Sequence, residues 1–231
     1  MQHRDIQALR KRAFQYTRKR DLERLIRRVT DWDQKQINIV MKHRSDLLSV
    51  KRGARRRNGH PSSSHEQFIQ TSLLVDGWID DHLMSALAWS HDKRDDYPDK
   101  FGYNFMSRSY SPRMTQEIQR LSRDPCWIEL PFRNEVELSD QQIRSGGERT
   151  MVVKVLDRPH NDLNALRITS ERRRRKSGMK LWQNFESILP IAEELGYMAD
   201  LIRWLSQRQL DRLGYTRLEL DKLVLRPLDD P

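Results

Sequence analysis

The sequence predicts an all-α protein, and three observations lead to this fold class. Apolar residues recur three and four positions apart, as Leu22, Leu25 and Ile26 do, which is the period of a helix packed on one face. Few segments alternate apolar and polar residues cleanly enough to form strands. At 231 residues, the chain is long enough for one domain with a core plus an extension.

The composition argues against a membrane or secreted protein. Charged residues make up 33% of the chain, the mean hydropathy is −0.87, and no stretch of about 18 uncharged apolar residues occurs. The N-terminus from Met1 to Asp5 is polar and lacks the apolar core of a secretory signal. The one cysteine, Cys126, can form no internal disulfide, which fits a reducing compartment. We therefore expect a cytoplasmic protein with no membrane contact.

The net charge of +10 indicates a polyanionic partner, either a phosphorylated nucleotide or a nucleic acid. Solvated helix faces explain the first three basic clusters, whereas the last is either a phosphate-attracting rim or a solvated loop. The clusters are Arg10-Lys11-Arg12, Arg18-Lys19-Arg20, Arg27-Arg28, Arg55-Arg56-Arg57 and Arg172-Arg173-Arg174-Arg175-Lys176.

The first element is a basic helical extension over residues 1–50, which contain no proline and carry a thin apolar stripe. We expect this extension to pack on the main domain or on a second subunit, so a homo-oligomer is left open. A break rich in glycine, proline and serine follows over residues 58–64. Ser63 or Ser64 then caps a helix that places His65 in its first turn, pointing inward.

The next helix is predicted from about Asp80 to Asp96. Leu83, Leu87 and His91 lie four residues apart on its apolar face, and Pro98 disfavours helical geometry just beyond it. Residues 98–112 form a turn-rich loop with several aromatic side chains, long enough to be a lid or a substrate-contacting segment.

The second half of the chain completes a main domain that spans residues 51–213. A short apolar run at 151–156 fits either a strand or a buried helix. A polar connection is predicted over 124–147, and residues 214–231 form a C-terminal tail. Helices are predicted over 113–123, 181–194 and 198–213, with Gly196 as a C-cap between the last two.

The chemistry is carried by four dispersed residues, which are His65, His91, Asp92 and Asp157. A lone histidine is more often a structural residue than a ligand, but His91 and Asp92 are adjacent and follow an apolar segment that indicates burial. Imidazole and carboxylate together hold a divalent ion, and this mixed set suits manganese. We predict that the four residues bind one Mn²⁺ ion, while Asp95 and Asp96 orient or deprotonate the attacking water.

Three blocks that contain these residues match the motifs of a known family. They are Arg56-Arg57-Asn58-Gly59 followed by His65, then His91-Asp92-Lys93-Arg94-Asp95-Asp96, then Leu156-Asp157-Arg158-Pro159-His160-Asn161. They resemble, in order, R-K-x-G-x-P-Y-x-x-H, H-D-x-x-E-D and L-A-D-[RK]-x-x-N-x-R, and Pro190–Gly196 resembles a later P-I-A-x-x-L-G segment. These motifs are those of the hydrolase domain of RelA/SpoT-type proteins, especially small stand-alone alarmone hydrolases of the metazoan SpoT-homologue type.

The resemblance implies an HD-domain phosphohydrolase helical bundle with one manganese ion. It implies hydrolysis of guanosine 3′,5′-bis(diphosphate) or its pentaphosphate at the 3′-pyrophosphate, with release of pyrophosphate. Carried over by motif position, Arg56 and Arg57 face the base and phosphates, Arg158 joins this substrate-binding set, and Asn161 contacts the ribose.

The sequence also departs from the family motifs. Aspartate replaces glutamate at Asp95, and Ser62 and Ile188 stand where the family has tyrosines. Glu66 replaces a proline. Pro159 removes an amide donor, so it either begins a new helix, where proline is tolerated, or distorts the site.

Two other functions are compatible with the sequence. One is an HD phosphohydrolase for another phosphorylated nucleotide, such as a deoxynucleoside triphosphate or NADPH. The other is a catalytically weak, basic regulatory protein that binds nucleic acid, which the ligand series makes the less favoured choice.

Overall fold

A computed structural model describes residues 11, 18–55, 61–78, 81–127, 129–164 and 170–225, with backbone alone at residues 160 and 162–164. Within these ranges, every assigned element of secondary structure is a helix, which confirms the all-α fold. One isolated bridge joins Arg55 and Pro61. The contacts divide the chain into two compact units between Ser122 and Arg123, here called the N-terminal and C-terminal units. None of the described helices combines the length and the apolarity needed to cross a membrane.

The N-terminal unit contains seven described helices. Local hydrogen bonds define where they start: Asp33 and Gln36 form a capping box at α2, and Asp81 caps α4 through the amide of Met84. The helices are α1 (Lys19–Val29), α2 (Gln34–Lys51), α3 (Ser64–Asp76), α4 (His82–Ala88), α5 (Lys93–Asp96), α6 (Tyr103–Ser109) and α7 (Pro112–Leu121).

The core of this unit includes the helices of the predicted extension. Helix α1 buries Leu22, Leu25 and Ile26, and α2 packs along α4. Helix α3 is buried on most of its circumference, with Phe68 and Ile69 fully inaccessible. The helix that carries the first predicted ligand is therefore enclosed by the other helices of this unit.

Two expectations for residues 80–112 are wrong. The single helix predicted to run to Asp96 ends at Ala88, and the chain makes turns before α5 begins at Lys93. The predicted loop contains α6, which begins after Gly102, and burial of Met106 stabilises this helix in a segment that the turn-forming residues mark as a loop.

The C-terminal unit packs its helices around a separate apolar cluster. The cluster consists of Val136, Met179, Leu181, Trp182, Leu210, Leu213, Leu220 and Val224. The helices are α8 (Phe132–Ser145), α9 (Glu148–Asn164), α10 (Glu171–Gln183), α11 (Leu189–Glu194), α12 (Ala199–Leu213) and α13 (Arg217–Val224). A π-helical turn, Asn184–Ile188, joins α10 to α11.

Four expectations for this half of the chain are corrected or decided. Helix α8 occupies the predicted polar connection, since Val136 and Ile143 supply a buried face. The ambiguous run at 151–156 is a buried helix within α9. Pro159 lies inside α9, so the interpretation that it begins a new helix is wrong. Helix α13, in the segment assigned to a tail, buries Leu220 against the apolar cluster.

Candidate metal centre

The first predicted ligand, His65, is the second residue of α3. Its side chain points inward, as the sequence predicted, and only 2% of the residue is exposed. A buried imidazole at this place can present a ring nitrogen to a metal ion.

His91 lies in the turns between α4 and α5 and is equally buried, at 2% exposure. Its Nδ1 lies 3.0 Å from the carbonyl oxygen of Ala88, to which a protonated Nδ1 donates. This hydrogen bond selects the tautomer in which Nε2 carries the lone pair. The end of α4 at Ala88 therefore both places His91 and orients its ligand atom.

The two imidazoles and a carboxylate converge on one point. The Nε2 atoms of His65 and His91 lie 3.3 Å apart, a separation at which two neutral acceptors repel unless a proton or a cation lies between them. Asp92 Oδ2 lies 3.2 Å from His91 Nε2 and 3.8 Å from His65 Nε2. The side chain of Asp92 is 34% exposed, so solvent reaches the cluster from that side. Two imidazole nitrogens and a carboxylate oxygen form a donor set that fits a divalent transition metal.

Asp157, the remaining predicted ligand, belongs to α9 of the C-terminal unit. Its side chain is buried, its Oδ1 accepts a 2.6 Å hydrogen bond from Asn161 Nδ2, and its Oδ2 lies 3.7 Å from Lys154 Nζ. Such contacts fix a carboxylate in one orientation, as the outer partners of metal ligands do. The assignment of Asp157 as a metal ligand stays a prediction.

Asp95 and Asp96, the predicted catalytic pair, are on the short helix α5. Both residues are exposed, and Asp96 Oδ2 lies 3.5 Å from the ammonium nitrogen of Lys51. Loss of solvent and then repulsion by Asp92 raise the pKa of Asp96 above its usual range, and Lys51 opposes part of this rise. A carboxyl group with a raised pKa can exchange a proton closer to neutral pH.

Lys51 and Glu66 form a buried ion pair that motif analysis missed. Lys51 Nζ donates to Glu66 Oε1 over 2.5 Å, and both side chains are almost fully inaccessible. Burial lowers the pKa of Lys51, but the carboxylates of Glu66, Asp92 and Asp96 outweigh this effect, so its pKa is raised. The replacement of the family proline by Glu66 was a visible signal, but its partner could not be read from the sequence.

A second buried network lies beneath the turns between α4 and α5 that carry His91 and Asp92, here called the ligand turn. Lys93, the residue after Asp92, is fully buried and donates to the His43 carbonyl oxygen at 2.8 Å and to the Tyr110 hydroxyl at 3.0 Å. The Tyr110 hydroxyl donates to Asp46 Oδ2 at 3.0 Å. Burial lowers the pKa of Lys93 to about 7. The network ties the ligand turn to α2.

The predicted substrate-binding residues divide into two groups. Arg56 and Arg57 lie outside the described residues. Arg158 is buried in the C-terminal unit, with 7% exposure, and its guanidinium donates to Gln183 Oε1 at 2.6 Å. Asn161 holds Asp157, as described above.

The departures from the family motifs have structural settings of their own. Ile188 is fully buried in the π-helical turn, so a side chain at this position faces the core of the C-terminal unit. Ser62 is half-buried before α3. Neither residue supplies the aromatic surface that the family motifs carry at these positions.

Comparison of the chain with protein-family models, with curated proteins and with solved structures gives no match.

Proposed function

We propose that this protein is a manganese-dependent HD phosphohydrolase of the RelA/SpoT type, acting on guanosine 3′,5′-bis(diphosphate) and releasing its 3′-pyrophosphate. The observation that carries the proposal is the convergence of the His65 and His91 Nε2 atoms with the Asp92 carboxylate. Isolated structural histidines rarely bring two acceptor nitrogens and a carboxylate together in a buried place. The resemblance of the surrounding motifs supports the reaction type.

The donor set supports a metal ion with mixed nitrogen and oxygen ligation. His65, His91 and Asp92 would hold the ion, and Asp157 is proposed as the fourth ligand from its place in the motif order. A bound divalent ion would supply Lewis-acid chemistry, acidifying the attacking water and stabilising negative charge on the phosphate.

The protein's own side chains supply proton transfer and orientation. Asp96, with its raised pKa, would accept or return a proton at the reacting oxygen, and Asp95 would help to orient the water. Lys51 holds the Asp96 carboxylate on the side of the ligands. Arg158 and, by motif position, Arg56 and Arg57 would bind the phosphate groups.

The identity of the nucleotide is the least constrained part of the proposal. Serine at position 62 and isoleucine at the buried position 188 replace two tyrosines of the family motifs. This observation favours, as a second candidate, hydrolysis of another phosphorylated nucleotide such as a deoxynucleoside triphosphate or NADPH. A panel of these nucleotides separates the two candidates.

The decisive experiment measures pyrophosphate release from guanosine 3′,5′-bis(diphosphate) by the full chain, with manganese and with chelator. We expect manganese-dependent release, its loss in Asp96→Asn, and its retention in the matched control Asp99→Asn, which changes an exposed carboxylate three residues further along the chain. Manganese binding should persist in Asp96→Asn.

Two results would overturn the proposal. Absence of turnover on every nucleotide of the panel, with steeply salt-dependent binding to DNA or RNA, would identify a nucleic-acid-binding protein instead. Turnover that survives in chelator and in Asp92→Ala would exclude metal-assisted hydrolysis at this cluster.

A further inference from the structure

Four cationic side chains gather on helices α9 and α10 of the C-terminal unit. Lys154 and Arg158 are four residues apart on α9, and Lys176 and Lys180 are four apart on α10, so each pair occupies one helix face. The hydrogen bond from Arg158 to Gln183 joins α9 to the end of α10 and brings the two faces together. The group is called the α9–α10 cationic cluster below.

Arg158 is the buried member of the cluster and is incompletely satisfied. One guanidinium nitrogen donates to Gln183, but its Nε has no hydrogen-bond partner within the described ranges of the chain. The residue is 7% exposed, and burial of a charged donor without a partner is costly. A charged acceptor that reaches this nitrogen would remove the cost.

The lysines of the cluster are close enough to repel one another. Lys180 is exposed as a residue, yet nearby protein atoms still exclude water from its ammonium group. This desolvation, followed by repulsion from Arg158 and also from Lys176 and Lys154, lowers the pKa of Lys180. Asp157 opposes the shift, but its carboxylate is already bonded by Asn161 and lies beside Lys154. Positive charge therefore exceeds negative charge at this place.

We propose that Lys154, Arg158, Lys176 and Lys180 form a binding site for the pyrophosphoryl group of a phosphorylated nucleotide. The identity of this ligand rests on the proposed function, whereas its anionic character rests on the cluster alone. Two linked phosphates carry several acceptor oxygens, enough to pair with the Nε of Arg158 and with the exposed lysines together. Lys180 is a new site residue, and Lys176 belongs to the basic run that the sequence alone assigned either to a phosphate-attracting rim or to a solvated loop.

The test measures binding of inorganic pyrophosphate and of GDP to the full chain by calorimetry, with chelator present so that no metal contributes. The informative variant is Lys176→Ala/Lys180→Ala, because both residues are exposed and their truncation spares the core. The matched control is Arg212→Ala/Lys222→Ala, which removes the same charge from exposed positions of the same unit. We expect at least about tenfold weaker binding of both probes in the lysine variant and unchanged binding in the control.

Each alternative result overturns the inference. No binding of pyrophosphate or GDP by the wild-type chain would do so, and equal weakening in both double variants would show a diffuse charge effect. Binding of a DNA or RNA oligonucleotide without binding of pyrophosphate would assign the cluster to nucleic acid.

Failure of the proposed function is visible separately. Loss of manganese-dependent turnover on all nucleotides, with cluster-dependent pyrophosphate binding intact, refutes the enzyme but supports the site. Turnover with an unchanged KM in the lysine variant refutes the pyrophosphoryl-binding site but supports the proposed enzymatic function.

Discussion

Lys51, the last residue of α2, donates to Glu66 of α3 over 2.5 Å and lies 3.5 Å from Asp96. The buried ammonium group of Lys51 therefore interacts with the helix of the first predicted ligand and with the helix of the predicted catalytic pair. The candidate metal centre is therefore supported by charge as well as by packing.

Removal of Lys51 should be among the most destabilising changes in the N-terminal unit. Lys51→Met leaves Glu66 charged, buried and without its partner, which costs about 3–5 kcal/mol in the free energy of unfolding. Urea denaturation measures this loss. The double variant Lys51→Met/Glu66→Leu should recover most of it, because the pair is then replaced by apolar groups. A double variant as unstable as the single one would contradict this account.

Manganese should stabilise the folded protein through the ligand cluster. At about 100 times the dissociation constant, a bound ligand adds about 2.7 kcal/mol, which raises the Tm in a thermal scan. His65→Ala and Asp92→Ala should abolish this rise relative to chelator, and the exposed-site control Asp99→Ala should retain it. Asp157→Ala tests the fourth ligand, and a full Tm response in this variant would remove Asp157 from the set.

The protein should lose stability at acidic pH partly through His43. Burial, then repulsion by Lys93 and Lys42, lowers the pKa of His43 well below its ordinary value of 6.5. The Tyr110 ring stacks on His43, the Tyr110 hydroxyl donates to Asp46, and the Ser90 hydroxyl lies 2.6 Å from His43 Nδ1. Below pH 6.5 the unfolded chain therefore binds a proton that the folded protein does not, and stability falls by up to about 1.4 kcal/mol per pH unit.

The matched comparison for this effect is His43→Asn, which lacks the titrating group. Urea unfolding from pH 7.5 down to 5 should show the stability advantage of the wild type over the variant shrinking as the pH falls. A constant difference across this range would show that His43 takes no part.

Gly178 should resist even the smallest side chain. A Cβ at this position of α10 would lie 2.9 Å from Cδ1 of Leu223, a residue of α13, and 2.9 Å from Cε2 of Tyr215, which precedes α13. Overpacking should outweigh the better helix propensity of alanine, so Gly178→Ala should lower the free energy of unfolding by about 1 kcal/mol. Chemical denaturation measures the change, and Ser177→Ala on the same helix serves as the control, which should be neutral or slightly stabilising.

The helical fold could be predicted because, in most helices, apolar residues recur three and four positions apart in the sequence. The break after Ala88 could not, since the four-residue spacing of Leu83, Leu87 and His91 continues through it. Its cause is tertiary: the buried network of Lys93 requires the chain to turn there. Helix α8 was missed because its buried residues, such as Val136 and Ile143, are separated by polar turns.

The candidate site was predictable to the extent that motifs encode it. His65, His91 and Asp92 were identified from type and order, and the structure brings them together. The partners Lys51 and Glu66 are 15 positions apart and belong to no motif pair, so only the folded structure, in which the end of α2 meets the first turn of α3, reveals them.

His43 lies beneath the ligand turn and contacts both of its ends. Its Nδ1 is 2.6 Å from the hydroxyl of Ser90, just before His91, and its carbonyl accepts from Lys93, just after Asp92. His91 and Asp92, which lie between these two contacts, are thus held against α2 as one block. In the proposed metal site, the separation between this block and His65 on α3 would help to set the size of the ion, and substitutions around His43 should alter metal selectivity without changing a predicted ligand.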